Sequence, residues 1–387
     1  MRRAAIAGIA ALVLVGLAVA SVVVARGDDE EATPRLADCR SALSEAETRD
    51  CYSRTFAALV RRADDPRDAV ERIGDVAWAE GGFLLANCHG LMHPVGRAYA
   101  REHDVSLATL MDVLPRTNDP GCAAGFAHGL VTGVAPQLDV RRPRAAAAVC
   151  DETETRYRRY SCIHGFGHAF MRVSDERLGP ALALCRAALG REAPDCAQGA
   201  FHDFWLAVRG ADGVRAPAGA ERDPRVLCSG QADEFVVPCW YRGFVDNRPA
   251  GVVVTLPTDI DRLCDGLSGV HRAGCVTAAS VIGPPDPTAQ LILCSDMPRA
   301  DMDACVRGTK VQNLLHSSTE TLVGLIGGCE RFPAPERPGC YRWLGRVLTV
   351  LTDGAFRDEG CTALAQPAQE HCLRGAARVD EPLATFS

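Results

Sequence analysis

Residues 181–202 of the chain read ALALCRAALGREAPDCAQGAFH. A leucine-rich stretch ends at Cys185, a polar loop with a proline follows, and Cys196 stands 11 positions further on. The same spacing separates five more cysteine pairs, and two further pairs are separated by 12 positions. The eight pairs are Cys39/Cys51, Cys150/Cys162, Cys185/Cys196, Cys228/Cys239, Cys264/Cys275, Cys294/Cys305, Cys329/Cys340 and Cys361/Cys372. A spacing that recurs in this way indicates a repeated unit, and we predict that each pair forms a disulfide.

The repeated unit has the length of a helical hairpin. From Cys162 to Cys372, the second cysteines of successive pairs lie 30 to 43 residues apart, which is typical of helix-hairpin repeats. A disulfide across the short loop would pin two antiparallel helices and contribute on the order of 3 kcal/mol in the chain-entropy model. We therefore predict an all-α fold, a right-handed α/α solenoid of disulfide-stapled hairpins, with an α/α toroid as the alternative. The pattern resembles tetratricopeptide arrays in architecture, although their consensus residues are not matched.

The N-terminus and the breaks in the pattern suggest the domain boundaries. Arg2 and Arg3 precede an uncharged run from Ala4 to Ala25, which is long enough to span a bilayer. We predict a signal-anchor transmembrane helix at 1–26, with cleavage and secretion as the alternative. The predicted segments that follow are a linker at 27–37, histidine-bearing repeats at 38–209, an insertion loop at 210–223 and C-terminal repeats at 224–380.

Composition limits the compartment and the partners. The chain has 387 residues, a net charge of -7 and an even number of cysteines, 18. Because the chain has no basic field, we do not expect it to bind nucleic acid. Many paired cysteines favour an oxidising compartment outside the cytoplasm. We expect a single-pass membrane protein whose bulk is extracytoplasmic.

A column of histidines follows the cysteine pattern in the first half of the chain. Several units carry Cys-x-x-Gly, as at Cys122/Gly125, where the missing Cβ is expected to allow close helix packing. In four successive units, a histidine stands three positions after a glycine. Two of these units carry a second histidine four positions before the first. The six are His89, His93, His128, His164, His168 and His202. Residues four apart share a helical face, so His89/His93 and His164/His168 can each close on one ion.

The column predicts a transition-metal site. Imidazole is a ligand for Zn, Cu or Fe, and a three-histidine site with an open position can activate water. Asp203 and Asp246 are candidate carboxylate partners. In a solenoid the histidines should form a stripe on the inner face. The alternative is a structural role, in which each histidine bonds the backbone of the next unit.

Cys88 and Cys122 lack a partner 11 or 12 positions away, and each stands close to a histidine motif. We predict that they bond each other, provided that their Cα atoms come within about 7 Å. If they cannot, their thiols become candidate ligands or redox centres beside His89 and His128.

The predicted function is a membrane-anchored extracytoplasmic helical-repeat protein with a histidine-rich transition-metal site, extending to a metal-dependent enzyme of the cell envelope. The alternative is a disulfide-stapled scaffold whose concave face binds an envelope protein or polymer without metal or catalysis. No nucleophile motif stands out in the sequence, so it names no catalytic residue and no substrate.

Overall fold

The computed structural model describes residues 36–40, 44–210, 219–220, 223–247, 252–309, 319–351 and 360–377. The described residues are mostly helical and contain no strand, which confirms the all-α prediction for this part of the chain. The predicted signal anchor and nearly all of its linker, together with most of the predicted insertion loop, lie outside the described residues. Among those described, no helix combines the length and hydrophobicity needed to cross a bilayer.

By contact, the chain divides into two units, Met1–Cys51 and Tyr52–Ser387. In the first unit the described residues include α1 (Leu36–Cys39) and the start of α2 (Glu45–Arg62). The Cys39–Cys51 disulfide joins the two helices within this unit.

The second unit begins within α2 and contains the remaining described helices. They are α3 (Pro66–Glu80), α4 (Gly82–Glu102), α5 (Leu110–Val113), α6 (Cys122–Gly133), α7 (Pro143–Ala147), α8 (Arg156–Val173), α9 (Leu178–Leu189), α10 (Ala193–Gly210), α11 (Arg225–Cys228), α12 (Asp233–Val245), α13 (Pro257–Leu263), α14 (Gly269–Val281), α15 (Pro287–Ser295), α16 (Arg299–Arg307), α17 (Thr319–Glu330), α18 (Arg337–Leu351) and α19 (Ala368–Ala376). Short 3₁₀ turns follow α6, α7 and α9.

Nine of these helices form a row in which each helix contacts the next along the chain. The row consists of α4, α6, α8, α10, α12, α14, α16, α18 and α19. Each row helix carries one disulfide cysteine, which lies near the end of α16 and near the start or middle of the other eight helices. In addition, α18 touches α8, which is not its neighbour in the row.

All 18 cysteines are disulfide-bonded. The eight pairs predicted from spacing are present, namely Cys39–Cys51, Cys150–Cys162, Cys185–Cys196, Cys228–Cys239, Cys264–Cys275, Cys294–Cys305, Cys329–Cys340 and Cys361–Cys372. The ninth bond joins Cys88 on α4 to Cys122 on α6, whose Cα atoms are 4.9 Å apart. No thiol remains beside the histidines, so the thiol-ligand alternative fails. Nine disulfides indicate an oxidising, extracytoplasmic environment.

Three cysteines of the later repeats show that this disulfide framework is structural. Cys239 on α12, Cys275 on α14 and Cys305 on α16 are fully buried, and each bonds the cysteine 11 positions before it. None of these three row helices carries a histidine of the predicted column. A sulfur held in a disulfide offers no thiolate to a metal or a substrate. In these bonds the cysteines hold the hairpins together.

Aromatic side chains fill the core between the row helices around the histidine motifs. Phe126, Phe166, Phe201 and Trp205 are fully buried on α6, α8 and α10. Truncating one such side chain to alanine typically costs about 3–5 kcal/mol, because a cavity remains. The backbones that carry the histidines are therefore held by a densely packed apolar layer.

Candidate metal centre

The six histidines predicted from the sequence lie on four successive row helices and come together in one place. His89 and His93 are on α4, His128 is on α6, His164 and His168 are on α8, and His202 is on α10. Eleven pairs of their rings have centroids between 4.4 and 6.4 Å apart. We call this set the histidine cluster. The expected stripe is thus a compact group, since even α4 and α10 bring their rings together.

Glycines allow the row helices to approach this closely. A Cβ placed on Gly125 would lie 2.1 Å from the carbonyl oxygen of His89, and one on Gly199 would lie 2.1 Å from that of His164. Backbone therefore packs directly on backbone between α4 and α6 and between α8 and α10. The glycine of the Cys-x-x-Gly motif has the packing role expected from the sequence.

The loop before α6 fixes the ring of His89. The side chain of Asp119 accepts hydrogen bonds from the backbone N–H groups of Gly121 and Ala123, each at 2.9 Å. The loop then presents the carbonyl oxygen of Pro120 to His89, whose Nδ1–H donates to it at 2.9 Å. A carbonyl can only accept, so His89 carries its proton on Nδ1 and keeps a lone pair on Nε2.

The two predicted carboxylate partners stand behind two other histidines. His168 Nδ1 lies 2.9 Å from Asp203 Oδ1, and His202 Nδ1 lies 3.2 Å from Asp246 Oδ2. Burial acts to raise the pKa of each carboxyl, but the adjacent imidazole holds both pKa values below the ordinary 3.8. Ionised carboxylates behind imidazoles are the usual support of metal-ligating histidines, because they orient the ring and increase its basicity.

Besides the two Nδ1 atoms that face Asp203 and Asp246, five imidazole nitrogens of the cluster are buried and have no hydrogen-bond partner among the described residues. They are His89 Nε2, His93 Nε2, His128 Nδ1, His164 Nε2 and His168 Nε2. Buried polar atoms in proteins are nearly always satisfied, so each exception needs an explanation. Within the described part of the chain, His89 Nδ1 is the one imidazole nitrogen of the cluster that bonds backbone.

Burial favours the neutral form of five of the six imidazoles. Burial lowers the pKa of His89 from 6.5 to about 3. Burial, followed by the neighbouring imidazoles, lowers the pKa values of His93, His128 and His164 well below 6.5. Burial also lowers the pKa of His202, against the opposing effect of Asp246. Neutral imidazole is the form that binds metal.

Two overlapping groups of three histidines have the spacing of a metal site. In His89/His93/His128 and in His128/His164/His168, one nitrogen from each residue lies within 4.8 Å of the others. Small rotations of the side chains would bring such nitrogens to the metal–nitrogen distance of about 2.0–2.1 Å. The cluster can therefore hold a metal ion.

A cavity of about 500 Å³ opens onto one side of the cluster, where it meets His93, His168 and His202. Arg97 and Arg172 also line it, together with Glu176. Burial, and then the charge of Arg172, lowers the pKa of Arg97. The two arginines also line an adjoining cavity of about 480 Å³. These spaces admit water and a small molecule to the cluster.

Several residues of the site were not predicted from the sequence. Arg97 and Arg172 stand four positions after His93 and His168, so the i,i+4 rule that groups the histidines would have placed both arginines on the same helical faces. Ser161 Oγ, hydrogen-bonded to His128 Nε2 at 3.2 Å, and Tyr160 OH, 3.5 Å from His164 Nδ1, left no comparable signal.

The described site is a group of six imidazoles, three of them buried and three half-buried, beside two carboxylates. No protein-family model matches the chain, and neither a curated protein nor a solved structure is significantly similar to it.

Proposed function

We propose that this protein is an extracytoplasmic metalloprotein whose histidine cluster binds a transition metal. One observation carries the proposal: apart from those that face carboxylates, five buried imidazole nitrogens lack hydrogen-bond partners among the described residues. In addition, His89 and His93 share one face of α4, and His164 and His168 share one face of α8. Leaving a buried polar atom unsatisfied costs about 1–3 kcal/mol. Coordination to an ion would remove that cost at several atoms at once.

The donor set favours Zn, Cu or Fe. The inward-facing atoms are imidazole nitrogens, which suit these metals, whereas Mg and Ca prefer oxygen. Asp203 and Asp246 face the Nδ1 atoms of His168 and His202. They therefore supply negative charge and orientation rather than direct ligation. The nearby cations are Arg242, which lies 3.6 Å from Asp246, and the two arginines at the cavity wall, Arg97 and Arg172.

The cavity beside the cluster favours a second, more specific candidate, a metal-dependent hydrolase of the cell envelope. A bound metal supplies a water of lowered pKa, near 7 for zinc. Arg97 and Arg172 at the cavity wall would bind an anionic group of the substrate. In the proposed reaction, water adds across an ester or phosphoester bond, with its oxygen joining the acyl or phosphoryl group and its proton leaving with the alcohol.

The wider architecture and location belong to the same proposal. We propose a right-handed α/α array for Tyr52–Ser387. The sequential contacts of the row helices support an array without fixing its hand, and the contact of α18 with α8 favours its closed, toroidal form. The uncharged run Ala4–Ala25 supports a single membrane anchor at the N-terminus. The cluster would then be held outside the cytoplasm.

The test is elemental analysis of the full chain, produced under oxidising conditions without a His tag. We expect bound transition metal at or above one ion per chain, and loss of that metal in a His93→Ala/His168→Ala variant. His103→Ala is the matched control, because His103 is exposed and stacks on Tyr99 outside the cluster. A well-folded protein that takes up no Zn, Cu or Fe would refute the proposal. The scaffold that binds an envelope protein or polymer would then be the better candidate.

Hydrolysis needs a separate assay with the metal-loaded protein. We expect turnover of an anionic ester such as p-nitrophenyl phosphate, with an increased KM in an Arg97→Met variant. Turnover of neutral p-nitrophenyl acetate alone, with no effect of Arg97→Met, would contradict the anionic substrate class.

A further inference from the structure

We propose that the histidine cluster holds two transition-metal ions and that His128 is the ligand they share. The inference rests on the proposed function and deepens it, because it specifies the number of ions and the residue between them. It is independent of which metal is bound in the cell.

The cluster has more donors than one ion uses. A protein-bound zinc ion takes four ligands in a closed site, or three and a water in an open one. Six imidazoles converge here, and their ring centroids lie no more than 6.4 Å apart in the eleven contacting pairs. A single ion would leave two or three imidazoles uncoordinated, although nitrogens of the cluster are buried without a hydrogen-bond partner among the described residues. A second ion satisfies them.

The donors also divide into two sets on different helices. One set, His89/His93/His128, comes from α4 and α6. The other, His128/His164/His168, comes from α6 and α8. Each outer helix offers an i,i+4 pair on one face, which is a two-point grip on one ion. The only common member is the single histidine of the middle helix.

His128 is placed to serve both sets. Its ring centroid lies 4.9 Å from that of His89 and 4.4 Å from that of His164. Nδ1 of His128 has no hydrogen-bond partner in the described part of the chain, and Nε2 contacts only the neutral hydroxyl of Ser161. The two nitrogens lie on different edges of the ring. After loss of the ring proton to solvent, each can donate a lone pair to a different ion.

Negative groups at the cluster would offset part of the charge of two cations, whereas Arg242 beside Asp246 and the two arginines at the cavity wall, Arg97 and Arg172, oppose it. An imidazolate at His128 adds one negative charge to those of Asp203 and Asp246. Burying two dications costs less when compensating charges lie within the same site. His202, with its ring 5.3 Å from His168 and 5.8 Å from His93, stands between the sets and completes the coordination of one ion.

The experiment loads the full chain with Cu²⁺, removes excess metal, and compares copper content with the unpaired spins counted by electron paramagnetic resonance. We expect two copper ions per chain and a spin count well below the copper content, because a shared imidazolate couples the two unpaired electrons. His89→Ala/His93→Ala and His164→Ala/His168→Ala should each halve the copper and restore one spin per copper. His128→Ala should leave less than one copper, and the His103→Ala control should match the unmodified chain.

One copper per chain in the unmodified protein would overturn this inference and leave the proposed function standing. No copper at all would overturn this inference, and the proposed function would fall with it if the folded protein also took up neither Zn nor Fe. Two coppers with every spin counted would overturn the shared role of His128. The unmodified protein alone decides these three outcomes, so they do not depend on the folding of any variant. For the variants, absence of free thiols and an unchanged circular dichroism spectrum show that the chain has folded.

Discussion

The close contact between α4 and α6 can be tested by adding a single methyl group. In Gly125→Ala, the new Cβ would lie 2.1 Å from the carbonyl oxygen of His89 and 2.8 Å from its carbonyl carbon. Ordinary contact begins near 3.4 Å, so the methyl is about 1.3 Å too close to the oxygen. The obstructing atoms are backbone within a helix, which no side-chain rotation can move. The two helices must therefore separate locally.

The expected effect combines two opposing terms. Alanine is a better helix former than glycine by about 1 kcal/mol, which alone would stabilise the variant. Overpacking a well-filled interface costs about 1–3 kcal/mol, and a clash with backbone belongs at the upper end. We expect a net loss of about 2 kcal/mol in the free energy of unfolding. Separation by about 1 Å would also move His128 away from His89 and weaken metal binding on the order of tenfold or more.

Gly90→Ala is the matched control. Gly90 lies on α4 directly after His89, and a Cβ there meets nothing within 4 Å. Guanidinium unfolding should show Gly90→Ala at or above the stability of the unmodified protein, and chelator competition should show unchanged metal affinity. If Gly125→Ala matched Gly90→Ala in both measurements, the backbone contact between α4 and α6 could not be what positions the cluster.

Three further predictions concern protons, a disulfide and a carboxylate. In the metal-free protein, His89 has a folded-state pKa of about 3 against 6.5 when unfolded, so the unfolded chain binds more protons between these values. Stability should fall as the pH drops below 6.5, by up to about 1.4 kcal/mol per pH unit for each such histidine, and a flat urea-unfolding profile from pH 7.5 to 5 would contradict this. Cys88→Ala/Cys122→Ala opens a 34-residue loop and should lower the free energy of unfolding by about 4 kcal/mol in guanidinium. Removing a pair 11 residues apart, such as Cys264–Cys275, should cost about 1 kcal/mol less. A smaller loss for Cys88/Cys122 than for Cys264/Cys275 would contradict the prediction. Asp203→Asn should keep the full metal content at saturation but weaken affinity about 10–100-fold in chelator competition, and equal affinities for Asp203→Asn and the exposed control Asp175→Asn would show that the carboxylate does not support His168.

The cysteine pattern allowed much of the local structure to be predicted. A disulfide across a short loop depends on sequence separation, so a constant spacing is visible without any knowledge of packing. Cys88 and Cys122 are different, because their bond joins neighbouring hairpins. Their Cα distance of 4.9 Å depends on the close approach of α4 and α6. From spacing alone, that bond could be predicted only on the condition that the two Cα atoms come within about 7 Å of each other.

The residues of the histidine cluster could be predicted, but their arrangement could not. The i,i+4 spacing groups His89 with His93 because both lie on one helix. Whether rings on α4 and α10 meet depends on how strongly the row of helices curves, which no local pattern encodes. The partners of the rings, such as the carbonyl of Pro120, come from loops whose geometry is set by their own hydrogen bonds.

The two kinds of cross-link in this molecule act over different distances along the chain, with consequences for how it folds. Eight disulfides close loops of 11 or 12 residues. An oxidised but denatured chain therefore keeps its hairpin partners, and refolding is reduced to a search for the correct neighbour of each hairpin. Local contacts of this kind favour fast folding. The histidine cluster, by contrast, joins residues as distant as His89 and His202. It can form only when the hairpins from α4 to α10 have found their neighbours, so it can serve as a late reporter of the native state of that part of the chain.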